Sequence, residues 1–228
     1  MKVRESGMPD EEMWAGFFDP ATVLEILGLH QGIHNLVEFG CGYGTFTLAA
    51  GGIASGTVHA LDIEPKMVEV VQEKCREAGI TNVLATKRDF VAEGTGLAEN
   101  SMDAALLFNI LHHDEPVALM KEAFRVLKPN GLMAVIHWNY DPATPRGPAM
   151  EIRPRPEHCI AWGEEAGFLF NEKSRYDLPP YHYGLMFRKI IEGRSCIPLP
   201  ILTKKNCPSD EVKGAISGVT YEKQLVSN

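Results

Sequence analysis

The chain has 228 residues, of which 45% are hydrophobic and 23% charged, and it carries a formal net charge of −8. It is long enough to bury one sizeable core, and its acidic balance argues against a protein that coats nucleic-acid duplexes, which would need a basic stripe. No stretch reaches the roughly 18 uncharged apolar residues of a membrane span, and the start, MKVRESGMPDEEMW, lacks the apolar centre of a secretion signal. No membrane partner and a cytoplasmic location are therefore expected. Cys41, Cys75, Cys159, Cys196 and Cys207 are scattered without a C-x-x-C pair, which suits reduced thiols better than a disulfide framework or a structural zinc site.

In chain order, the first distinctive stretch is MPDEEMWAGFFDP, which sets Trp14, Phe17 and Phe18 ahead of any strand-like run. Buried strands are then predicted at NLVEFG, GTVHALDI, NVLATK, MDAALLFNI and GLMAVIHW, all short, apolar and mostly bounded by Gly, Asn or Asp. Between the second and third, PKMVEVVQEKCREAG places Met67, Val71, Cys75 and Ala78 at helical spacing, with Pro65 at the first helical position and Gly79 at the stop. After the fourth, Val117, Met120, Phe124 and Leu127 form a second stripe before a Pro-Asn-Gly break. This alternation predicts βαβ units and an α/β, doubly wound parallel sheet.

From Asn139 the character changes. NYDPATPRGPAMEIRPRPEHC holds Pro142, Pro145, Pro148, Pro154 and Pro156 with three arginines, so it is predicted to be a stiff, ordered loop. A short helix over about Glu157 to Ala166 leads to FLFNEKSRYDL and YHYGLMFRKII, which read as a terminal hairpin. Residues 191–228 show neither a clear period nor a core signal. They open on IEGR, Ile191 to Arg194, which matches a protease site, so a non-native origin and coincidence both stand as readings. The expected division is a domain over 1–190 and an extension of unknown order over 191–228.

LVEFGCGYGTF ends the first strand in Gly40, Gly42 and Gly44 and runs into the helix-compatible TFTLAA. Such a turn lets backbone N–H groups and a helix N-terminus face a polar ligand at close range. In a doubly wound sheet this is where nucleotides and their relatives bind. Asp62 ends the second strand 18 residues beyond Gly44, where a carboxylate accepts hydrogen bonds from ribose hydroxyls. The dinucleotide fingerprint requires glycine at position 45, where Thr45 stands; a nicotinamide dinucleotide is therefore the second choice.

Taken with VHALDIEPKMVEVV, TKRDF, MDAALLFNILHH and AFRVLKPNGLMAVIHW, in that order between about Leu36 and Trp138, the glycine stretch resembles the class I S-adenosylmethionine-dependent methyltransferase family. The resemblance implies a Rossmann-like seven-stranded sheet, mostly parallel with an antiparallel last strand, and S-adenosyl-L-methionine as cofactor. It assigns Gly40, Cys41, Gly42 and Gly44 to the cofactor loop and Glu38 to the methionine ammonium or to ordering that loop. Asp62 would hold the ribose diol, Ile63 and Phe90 would pack near the adenine, Asp89 would accept from its amino group, and Asn109 would border the methionine part or the methyl group. Capping is the competing role for Glu38 at its strand end and for Asp89 at a turn or helix start.

The sulfonium already supplies the electrophile, so alignment does much of the work, and a base is needed only for a protonated nucleophile. His112 and His113 are the candidate catalytic bases; adjacent residues on an extended chain point opposite ways, so at most one serves, and the alternative is that LHH only shapes the cofactor pocket. HHDE contains metal-ligand types, but consecutive ligands rarely converge on one ion, and no metal is expected. Trp14 and Phe18 either form a lid over the acceptor or pack on the core. Trp138, Tyr140, Arg146 and Arg153 follow the fifth strand; aromatic walls with arginines point to a small, flat or anionic acceptor, against the alternative of a solvated loop. Tyr181, His182 and Tyr183 close the same pocket or simply open the last strand. The expected function is methylation of a small molecule with no nucleic-acid partner, and no feature of the sequence speaks to oligomeric state. The rivals are a cofactor-binding protein without catalysis and a nicotinamide-dependent oxidoreductase.

Overall fold

Every strand-like run of the sequence becomes a strand of one sheet in the computed structural model, which describes residues 10–30 and 32–190. All of these residues lie within one compact unit. The extension 191–228, and with it the domain boundary expected near residue 190, lies outside the described residues.

Two short helices come first. α1 (Glu11–Ala15) is capped by Asp10, whose side chain accepts from the Met13 N–H, and α2 (Pro20–Ile26) by Asp19, with Pro20 opening the first turn. The alternating part follows as β1 (Leu36–Phe39), α3 (Thr45–Ile53), β2 (Val58–Asp62), α4 (Pro65–Glu77), β3 (Val83–Lys87), α5 (Phe90–Glu93), β4 (Met102–Phe108), α6 (Pro116–Val126) and β5 (Leu127–Trp138). The chain then runs through the proline-rich loop into α7 (Pro156–Glu165), β6 (Phe168–Leu178) and β7 (His182–Lys189).

The strand order is β3-β2-β1-β4-β5-β7-β6. Pairings among β1 to β5 are parallel, whereas β7 is antiparallel to both β5 and β6. The reversed strand is thus last among the described residues but sits inside the sheet, with β6 at the edge. Helices cover both faces, which is why all four residues of β1 are buried. Val37 and Phe39 point into a core with Met120, Leu185 and Phe187, while Leu36 points into a second core with Leu24, Leu27, Phe46 and Ile136.

Three features depart from the sequence expectations. β5 starts at Leu127 rather than after the Pro-Asn-Gly break: Leu127 pairs with Met102 and Leu132 with Ala104, so the break is a bulge inside the strand. α5, four residues long, is too short to show a period in sequence. Lys189 is buried, and its ammonium donates to Asn100 Oδ1 and to the carbonyls of Phe124 and Leu127, which ties β7 to the end of α6. No helix among the described residues is long and apolar enough to cross a membrane.

Candidate active site

The sheet's carboxyl edge is split between β1 and β4, where the chain leaves in opposite directions and a crevice opens. The glycine loop lies at this point. Gly40, Gly42 and Gly44 have φ of +77°, +50° and +79°, a region that side chains disfavour. At Gly44 a β-carbon would also stand 2.9 Å from Leu48 and 3.0 Å from Val71 of α4, and at Gly40 3.2 Å from Ile110. Part of the demand for glycine is therefore internal, set by the turn and by close packing of α4.

The loop's N–H groups correct one expectation. Gly40 and Cys41 donate to the Leu61 carbonyl, Gly44 donates to the Cys41 carbonyl, and Gly42 donates to Asp62 Oδ2 at 2.9 Å. Four donors expected to face a ligand are thus used within the protein. Asp62 also accepts from the Glu64 N–H through Oδ1 at 2.9 Å. Its burial raises its pKa, and these backbone donors work against that rise. It fastens the glycine loop to the end of β2 and presents its carboxylate at the crevice. The Cys41 side chain packs among Ala60, Val68 and Val71, and burial pushes its thiol up, so the residue contributes backbone to the loop and a side chain to the core.

Glu38, on β1, is 3% exposed and accepts from the Thr47 hydroxyl of α3. Burial lifts its pKa to about 8, against the Thr47 bond and with a further push from Asp62. Across the crevice, Asn109 follows β4 with φ +55° and donates its N–H to the Ile136 carbonyl. Its side-chain nitrogen and oxygen are both buried without a partner, and its neighbour Ile110 touches Gly40. Buried amides are nearly always satisfied, so this one is available to a ligand or an ordered water. On the far side of β2, Ile63 is half-buried. Asp89 caps α5 by accepting from the Ala92 N–H at 3.0 Å, and Phe90 lies edge-on to Phe39.

Over β5 and β7 the groups are different. His113 Nδ1 accepts from the Glu115 N–H, which makes it a turn residue. His112 Nδ1 lies 3.4 Å from Nε2 of fully buried His137, a contact the sequence reading did not foresee because His137 sits inside an apolar run. Its register partner Tyr183 could have signalled it only once the β5–β7 pairing was known. Burial lowers His112 to about 4, aided by His113, and lowers His182 to about 3, aided by Arg153. His137 is depressed as well, chiefly by burial.

The arginines and aromatics of the proline-rich loop also differ from expectation. Arg153 is 7% exposed, and its guanidinium donates to the carbonyls of Pro148, Asn139, Asp141 and Arg146 and to the Thr144 hydroxyl. Its donors are committed to holding the loop, which removes it as an anion-binding group for the acceptor. Arg146 is exposed, and Tyr140 is covered by the Arg155 guanidinium at 3.7 Å from its ring centre. Trp138 is buried against Phe17, Tyr181 and His182. Trp14 packs on Phe17 and Phe18, and Phe18 continues to Phe46 and His182. Lys74 of α4 pairs with Glu11 of α1 and donates to the Tyr43 carbonyl at 2.7 Å, linking the N-terminal segment to the glycine loop.

A family model described as a methyltransferase domain matches residues 37–135, which contain the glycine loop, Asp62, Asn109 and both candidate bases. A ribosomal protein L11 methyltransferase of Syntrophomonas wolfei is 30% identical over 101 residues, covering 44% of this chain and 32% of that protein. The chain spans about a third of the length of the curated relatives it matches. Among solved structures, a SAM-dependent methyltransferase from Aquifex aeolicus is similar with a TM-score of 0.70 at 25% identity, covering 79% of this chain and 94% of that one. One from Sulfolobus solfataricus, described as a type 11 methyltransferase, gives 0.54 at 25% identity, covering 71% and 88%. With the strand order, the glycine loop and the rim carboxylates already in place, residues 37–135 match a methyltransferase domain, and the sheet around them is similar to those of S-adenosylmethionine-dependent methyltransferases.

Proposed function

We propose that this chain transfers the methyl group of S-adenosyl-L-methionine, the family's cofactor, to a small-molecule acceptor, aromatic or anionic, in a cytoplasmic setting and without a nucleic-acid partner. The observation that carries the reading is the commitment of the glycine-loop N–H groups of Gly40, Cys41, Gly42 and Gly44 to acceptors within the protein. A pyrophosphate needs free donors of that kind. A ligand with a ribose and an amino-acid ammonium needs carboxylates, and the rim supplies Glu38 and Asp62.

The residues fit such a ligand. Asp62 would accept from the ribose hydroxyls while it holds Gly42. Ile63 and Phe90 would flank the adenine, with Asp89 near its amino group. Glu38 would answer the ammonium, which stabilises its ionised form against the cost of burial. The unpartnered Asn109 amide would receive a hydrogen bond from the methionine part or give one to it. Bound there, the cofactor supplies an electrophilic methyl group, and the chain's remaining task is to align the nucleophile and exclude water.

His112 is the one candidate base of the pair, since His113 serves its turn. It would take a proton through its free edge and share the other nitrogen with His137. The experiment is an acceptor screen with S-adenosylmethionine that follows release of S-adenosylhomocysteine. Turnover that falls in His112→Ala and persists in His113→Ala supports both the activity and the assignment. Binding of the cofactor with no turnover across acceptor classes would favour the non-catalytic rival.

A further inference from the structure

Among the described residues, the buried side-chain nitrogens and oxygens without a partner all belong to Asn109, His137 and His182. Asn109 is assigned to the cofactor under the proposed function, and His137 has one nitrogen engaged with His112. His182 has neither nitrogen engaged, although its ring is 2% exposed. It lies against Trp138, 4.2 Å between ring centres, and Phe18, 4.4 Å. Leaving a buried polar group unpaired costs about 1–3 kcal/mol, so a native imidazole kept in this state calls for a partner.

The surroundings limit what that partner can be. Arg153 has its donors on the loop's own carbonyls, Arg155 lies on Tyr140, and Arg175 pairs with Glu157. The rings against His182 carry no charge. An anion brought to it would feel the charge of Arg153 but find its N–H donors already engaged, a cation would be repelled by that charge, and either would be buried at high cost. A neutral imidazole instead offers one N–H and one lone pair, which suits a hydroxyl. The cover comes from the segment between α1 and α2, where Phe18 packs on Phe46 and His182, so lifting this segment would uncover the imidazole.

We propose that His182 recognises the methyl acceptor, in a box walled by Phe18 and Trp138, and that the acceptor is an uncharged small molecule with a hydroxyl on an apolar or aromatic body. The proposal rests on the methyl-transfer reading for its purpose, and it selects the aromatic over the anionic acceptor. The test uses 2-naphthol, 2-naphthoate and naphthalene as probes, titrated into the full chain with and without S-adenosylhomocysteine and followed by tryptophan fluorescence and calorimetry. The expected order puts 2-naphthol at least tenfold tighter than either companion. His182→Phe should bind 2-naphthol and naphthalene alike, His182→Gln should restore most of the preference, and both should bind S-adenosylhomocysteine as the parent does.

Naphthoate binding as tightly as naphthol, an unchanged preference in His182→Phe, or no probe binding at all would overturn the proposal. Should His182→Phe fail to fold by thermal melting, the parent's rank order and the His182→Gln titration decide. If 2-naphthol binds with the stated preference while S-adenosylhomocysteine does not bind, the pocket stands and the methyl-transfer reading falls.

Discussion

Over β1 and β2 the sheet edge carries carboxyls, Glu38 and Asp62; over β5 and β7 it carries imidazoles, His112, His137 and His182. Burial acts on the two sets with opposite sign, raising the acids and lowering the bases, and so drives both toward the uncharged form. The difference lies in what each set can recover. Glu38, held near 8, becomes an anion once a cation arrives beside it. The imidazoles, at about 4 and 3 for His112 and His182, stay neutral at physiological pH. In the proposed reading, one half of the crevice is prepared for a charged ligand and the other for an uncharged one.

The comparison breaks most sharply at Arg153. Arg153→Met strands several loop acceptors and is expected to cost about 2–3 kcal/mol of stability in urea unfolding, with S-adenosylhomocysteine affinity within twofold of the parent. A large loss of affinity would mean that the two halves are not separable. Asp62→Ala comes next: it removes the loop's anchor and the proposed ribose acceptor together, and calorimetry should record affinity lower by at least about tenfold, or ~1.4 kcal/mol. Unchanged affinity would reject the assignment.

Glu38 gives a smaller, signed effect. Its pKa is raised in the folded chain from 4.5 to about 8, so between those values the folded state holds a proton that the unfolded state has lost, and stability falls as pH rises through this window. A cationic ligand group reverses the shift. Near pH 7 binding should release up to about one proton, read by calorimetry in buffers of different ionisation enthalpy, with the release fading above the raised value and below the ordinary one. Glu38→Gln should flatten both curves. Last, removal of residues 191–228 should leave melting temperature and affinity unchanged, because Lys189 already closes β7 onto α6; loss of folding would place the extension in the core.

The carboxyl half was the more legible in sequence. Its strands are apolar runs, its glycines are spaced by single residues, and Glu38 and Asp62 are exceptions in apolar surroundings. What could not be read there was the direction of the loop's N–H groups, which depends on the Leu61 carbonyl and on Asp62 at the end of β2. The imidazole half was legible as β6 and β7 and as the neighbourhood of the acceptor, but not in the contacts its residues make. Arg153 looked free because its acceptors are backbone carbonyls, which a sequence does not display. His137 gained meaning only from register, which places it beside Tyr183, and register sets His182, legible as a residue near the acceptor pocket, beside Trp138.

The central claim is that the glycine loop and its carboxylates hold S-adenosylmethionine rather than a dinucleotide. Calorimetric titration of the full chain with S-adenosylhomocysteine, with NADH in a parallel cell, tests it most directly. Saturable binding of S-adenosylhomocysteine alone is the predicted result. Binding of NADH alone would contradict it, because the loop would then have to release N–H groups that the fold has already committed.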